Sequence, residues 1–144
     1  MTKTIYLAGG MQKFGKDDFD KSNDWRVYTK KTLEGYEGDY KVSVVNPNDF
    51  FSFVDNPRKH DSEREVMNYD LHRVRNADLI IVNFNDPKSI GTAMEIAIAH
   101  EYGIPVIGLL EEGYGLHPWL VCMTERIFDD KDKMIDYVED FYLT

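Results

Sequence analysis

The sequence predicts a doubly wound α/β protein, with one five-stranded, mainly parallel sheet and helices on both faces. Three observations predict it. Short apolar runs alternate with helical patterns along the chain. The runs at 79–84 and 104–109 are rich in β-branched residues and, Asn83 apart, apolar, as in strands covered on both sides. The helix between them stops at Gly103, where a left-handed cap is common. Residues 79–109 therefore form one βαβ unit, which implies parallel strands.

The remaining elements follow in order. Residues 5–8 read as a first strand ending at Gly9 and Gly10, a plain turn or a point of close ligand approach. A helix capped by Ser22 or Asn23 runs to about Leu33, with Trp25, Tyr28 and Leu33 inward. Residues 41–45 form a second strand, closed by Asn46-Pro47. The connection at 48–60 carries Phe50, Phe51 and Phe53, which anchor the loop or stack on a planar ligand. A helix from about Ser62 has the apolar stripe Val66, Met67, Leu71 and Val74, with Asp70 beside it. His117 to Leu120 opens a short helix and 125–128 is a fifth strand. Asp129 or Asp130 caps a last helix with Met134, Ile135, Val138 and Phe141 inward.

Composition narrows the function. The 144 residues suit a single domain, and the N-terminus enters a strand with no room for a signal peptide. No apolar run has membrane-spanning length. One cysteine, Cys122, fits a cytoplasmic protein and reads as a packed, inert thiol. A net charge of −9 with scattered basic residues argues against polymeric nucleic acid as a partner. A small anionic ligand needs only local donors. No metal ligand set or cofactor is expected.

The inferred strand order is the flavodoxin-like 2-1-3-4-5, whose crevice opens between the carboxyl ends of strands 1 and 3. That places Gly9 and Gly10 beside residues 83–86 and the helix bearing Glu95. Glu95 either complements the positive end of its helix or is presented at the ligand-binding edge of the sheet. Asp70 is either a solvated charge or a second carboxylate directed into the cleft.

Tyr6 in Ile5-Tyr6-Leu7-Ala8-Gly9-Gly10, Asp70 in Tyr69-Asp70-Leu71, and Ser89-Ile90-Gly91-Thr92-Ala93-Met94-Glu95 followed by Gly103-Ile104-Pro105-Val106 resemble the nucleoside 2-deoxyribosyltransferase family. The resemblance covers nearly the whole chain in element order. It is specific around 78–107 and at the first strand, and loose at 11–60 and after 110. It implies transfer of a 2-deoxyribosyl group between nucleobases through a covalent glutamyl intermediate. Glu95 matches the nucleophile, Tyr6 the tyrosine that positions it, and Asp70 the group that handles the base's proton. The nucleophile must be ionised, and the helix N-terminus is expected to favour that form.

Gly9, Gly10, Asn46, Asp86, Ser89 and Gly91 are the candidate substrate contacts. Ser89 stands where transferases carry an aspartate, and so resembles a related branch that hydrolyses 2′-deoxynucleoside 5′-monophosphates. With the N–H groups of residues 90–92, Ser89 could bind phosphate, or it could simply cap the helix. Lys13, Lys16 or Arg26 could assist. Nucleotide hydrolysis is therefore the alternative activity, and a non-catalytic nucleotide-binding module the alternative of another class. The resemblance also implies a homo-oligomer, with 117–123 the candidate contact.

Overall fold

The computed structural model describes residues 1–10, 16–50 and 62–144, and the side chains of 16–21 are left undescribed. Its elements are β1 (Thr2–Gly9), α1 (Lys16–Glu34), β2 (Lys41–Val45), α2 (Glu63–Arg75), β3 (Leu79–Asn83), α3 (Ile90–Glu101), β4 (Val106–Leu109), α4 (Pro118–Cys122), β5 (Arg126–Phe128) and α5 (Lys131–Tyr142). All four strand pairings are parallel and the order is β2-β1-β3-β4-β5. The flavodoxin-like order read from the sequence is the observed one.

Strand alternation divides the core into two layers. Ile5, Leu7, Leu79 and Ile81 pack with Trp25 and Leu33 of α1 and with Met134, Ile135 and Val138 of α5. Tyr6, Ala8, Ile80 and Val82 point the other way, against Val74 of α2 and Ile96 and Ala99 of α3. Tyr6 thus faces the same layer as the α3 helix that carries Glu95. Four of the five helix starts have a local cause. The side chains of Ser62, Ser89, His117 and Asp130 accept N–H groups of the first turn. At the end of the α3 connection, Gly103 has φ +69, which favours glycine.

Several expectations need correction. Helix α1 begins at Lys16, so Ser22 and Asn23 lie inside it rather than capping it. Its buried positions 22, 25, 26, 29 and 33 trace one helical stripe, and packing of that stripe overrides the capping preference of serine and asparagine. Tyr28 is 42% exposed and its hydroxyl donates to Asp132 Oδ1 at 2.7 Å. Met67 and Phe141 are also exposed, the latter stacked on Tyr137. Cys122 is exposed rather than packed. Phe50 packs on Tyr69, whereas Phe51 and Phe53 lie outside the described residues. No helix among the described residues is long and apolar enough to cross a membrane.

Candidate active site

The site grows from the carboxyl ends of β1 and β3. Beyond β1, the Gly10 N–H donates to Asn85 Oδ1 at 2.9 Å, which ties the glycine turn to the loop after β3. A Cβ at Gly10 would stand 2.7 Å from Asp86 Cβ, so a side chain there is excluded. The loop turns back through Asp86, whose carbonyl and carboxylate accept the N–H groups of Ser89 and Lys88. Ser89 then caps α3, accepting the Thr92 N–H at 3.3 Å and sharing a 2.8 Å bond with the Thr92 hydroxyl.

Glu95 lies in the second turn of α3. The buried Tyr6 hydroxyl donates to Glu95 Oε2 across the layer between β1 and α3. Together with Asp70 of α2, Glu95 lines a cavity of about 590 Å³. Gly9, Asp86, Ser89 and Gly91 line the same cavity. Of the other candidates, Gly10 is not part of the wall but packs against Asp86, which is. Asn46 is not part of the wall: its Oδ1 accepts the Asn48 N–H and its Nδ2 donates to Asn23. Asn46 is therefore accounted for as a cap of the turn after β2.

Burial dominates the electrostatics. It pushes Glu95 up to about 8, against the opposing pull of the Tyr6 hydrogen bond and of Arg26. Against the expectation that the helix N-terminus favours the ionised form, burial of Glu95 in the second turn of α3 favours the protonated one. Burial also raises Asp70 to about 7, again opposed by Arg26. The Asp70 Oδ1 atom is buried without a hydrogen-bond partner among the described residues, on a residue that lines the cavity. Tyr6 is raised well above 10 by burial and by the two carboxylates, so its hydroxyl stays a neutral donor. The Asp70 charge adds to the upward push on Glu95.

Arg26 has a place that the sequence reading missed. It is fully buried on α1 and does not line the cavity, so it is not a surface donor for a phosphate. Its Nη1 donates to Ser22 O at 2.6 Å and its Nη2 to Gly9 O at 2.9 Å. The signal was present as an arginine on the inward stripe of α1, beside Trp25. Lys13 lies outside the described residues, as does the side chain of Lys16. Among the described residues no cluster of three His, Cys, Asp or Glu side chains is arranged to hold a metal ion.

A tyrosine-bound glutamate and a second carboxyl thus line a cavity of this flavodoxin-like sheet, a fold whose carboxyl edge commonly holds ligands. The family described as "Nucleoside 2-deoxyribosyltransferase like" matches residues 2–113, and the chain belongs to that family. No curated protein matches the sequence. Among solved structures, a 2-deoxyribosyltransferase from Bacillus psychrosaccharolyticus is similar at 19% identity and a TM-score of 0.71, over 93% of this chain and 91% of that one. A 2-desoxiribosyltransferase from Leishmania mexicana is similar at 20% identity and 0.69, over 98% and 99%. A CMP N-glycosidase from Clostridium botulinum is similar at 19% identity and 0.60, over 98% and 100%. At these identities the likeness shows a shared fold.

Proposed function

We propose that the protein is an N-glycosidase that transfers the 2-deoxyribosyl group of 2′-deoxyribonucleosides between nucleobases. The observation that carries this reading is the Tyr6–Glu95 hydrogen bond at a cavity that Asp70 also lines. The Glu95 carboxylate attacks C1′, and the C1′–N electron pair departs with the base. Asp70 delivers a proton to that base, for which a carboxyl raised to about 7 is suited near neutrality. The product is a deoxyribosyl ester of Glu95. A second base attacks C1′, yields its proton to Asp70 and releases the glutamate.

Tyr6 fixes which carboxylate oxygen carries its hydrogen bond and leaves the other for attack. Productive turnover needs Glu95 ionised while Asp70 keeps its proton, the less populated arrangement when Glu95 stands at about 8 and Asp70 at about 7. Substrate binding can favour it, because a base that accepts a proton from Asp70 also stabilises that protonated form.

One observation favours a second reading, hydrolysis of the N-glycosidic bond of nucleoside 5′-monophosphates. Ser89, Ile90 and Gly91 at the start of α3 line the cavity, joined by Arg64 and Lys88. A helix start in a cavity that two cations also line suits a phosphate. Water then replaces the second base in the last step. Incubation with a 2′-deoxynucleoside or its 5′-monophosphate, with and without a second free base, separates the readings. Base exchange supports transfer, and release of deoxyribose 5-phosphate supports hydrolysis. Absence of free base from every mixture refutes both and leaves a non-catalytic nucleotide-binding role.

A further inference from the structure

We propose that Arg26 is a positioning residue of the glycosidic site, docking the Gly9 end of β1 and setting a fixed positive charge behind the Tyr6–Glu95 pair. The inference rests on the reading of Glu95 as the reacting carboxylate.

Arg26 is the only charged side chain with full burial among the described residues. Burying a guanidinium is costly unless charge and hydrogen bonding compensate it. Its two hydrogen-bonded nitrogens meet neutral carbonyls, Ser22 O and Gly9 O, and its Nε has no partner among the described residues. Among the described residues no carboxylate lies within ion-pair distance of it. The guanidinium also lies over the Trp25 ring, 4.9 Å from its centroid.

The geometry gives the charge a different use. Gly9 forms part of the cavity wall, and a Cβ there would meet Arg26 Nη2 at 3.1 Å and Trp25 Cζ2 at 3.2 Å. Gly9 is therefore a thin partition, with the guanidinium packed on one side and the cavity on the other. The acidic groups that Arg26 faces electrostatically are Tyr6, Glu95 and Asp70, from β1, α3 and α2. Glu95 in turn faces Tyr6, Asp70 and Arg26, while Glu63, Arg64, Asp86 and Lys88 line the same cavity further out. Arg26 is thus the inner cation of a site with two carboxyls. Burial lowers it to about 10, and it still carries its charge at neutral pH. It favours the anionic glutamate that attack requires, and its bond to Gly9 O fixes the turn over which the sugar must sit.

The test is the titration of the Glu95 carboxyl, followed by ¹³C NMR in the wild type, Arg26→Met and Arg26→Lys, alongside kcat/KM against pH on a 2′-deoxynucleoside or its 5′-monophosphate. In Arg26→Met the Glu95 midpoint is expected to rise by roughly one pH unit, the lower end of the effect of a nearby opposite charge. The acid limb of kcat/KM should follow it, and Arg26→Lys should restore most of both. An unchanged midpoint in folded Arg26→Met, an equal shift in Arg26→Lys, or failure of either variant to fold overturns the proposal. If the wild type turns over neither substrate, the catalytic reading fails, while the NMR midpoint still decides whether Arg26 acts on Glu95.

Discussion

Replacing Glu95 by glutamine should stabilise the protein, and only at high pH. The Glu95 carboxyl titrates near 4.5 when unperturbed and at about 8 in the folded site. Between those values the unfolded chain has released a proton that the native state retains. Native stability therefore falls as pH rises through this window, and the loss is complete above the folded value. At about 1.4 kcal/mol per pH unit the gap corresponds to roughly 5 kcal/mol. Glu95 is only partly buried at the cavity edge, so solvent screening reduces this to about half. Glutamine still accepts from Tyr6, through a neutral bond weaker by about 1 kcal/mol than one to a carboxylate. The expected gain is about 1.5 kcal/mol at pH 8.5 and none at pH 4.5. In thermal melts that is roughly 3–6 °C at the higher pH. A stability difference between variant and wild type that does not change with pH would refute the reasoning, since it would show that burial does not penalise the anion.

Tyr6→Phe removes one hydroxyl from a fully packed ring, so the fold should persist while kcat falls about 10–100-fold, the worth of a charge-assisted hydrogen bond of roughly 1.5–3 kcal/mol. Steady-state kinetics beside a melting curve check it, and full activity would remove Tyr6 from the site. Gly10→Ala forces a Cβ to within 2.7 Å of Asp86 Cβ and should destabilise by about 1–3 kcal/mol in denaturant titrations. Gly91→Ala, with nothing within 4 Å of the new Cβ, should not destabilise. Ser89→Asp preserves an N-cap but sets a negative charge at the start of α3, so it should weaken binding of a 5′-monophosphate more than that of the nucleoside in calorimetric titrations. Equal effects on both ligands would remove the phosphate reading.

The sheet was legible because its strands are short apolar runs with turn residues between them. Its order followed from the βαβ rule, and Gly103 and Ser89 marked the α3 boundaries through their backbone chemistry. The meeting of Tyr6 with Glu95 was foreseeable from resemblance and crevice topology, although the two are 89 residues apart. Glu95's protonation was not, because desolvation depends on how many groups enclose a carboxyl and helix position alone does not report that. Arg26 was read as a surface donor because arginine is usually exposed. Only the assembled stripe of Ser22, Trp25, Thr29 and Leu33 shows it turned inward. Phe141 and Tyr28 failed in the opposite sense. Each is apolar enough for a core, yet stacking on Tyr137 and a hydrogen bond to Asp132 satisfy them at the surface.

The most direct measurement is mass spectrometry of the acid-quenched enzyme after brief mixing with a 2′-deoxynucleoside or its 5′-monophosphate, followed by proteolysis. A deoxyribosyl or phosphodeoxyribosyl ester on the peptide containing Glu95, absent from Glu95→Gln, is the predicted result. An adduct on another residue, or undiminished release of free base by Glu95→Gln, would contradict the account.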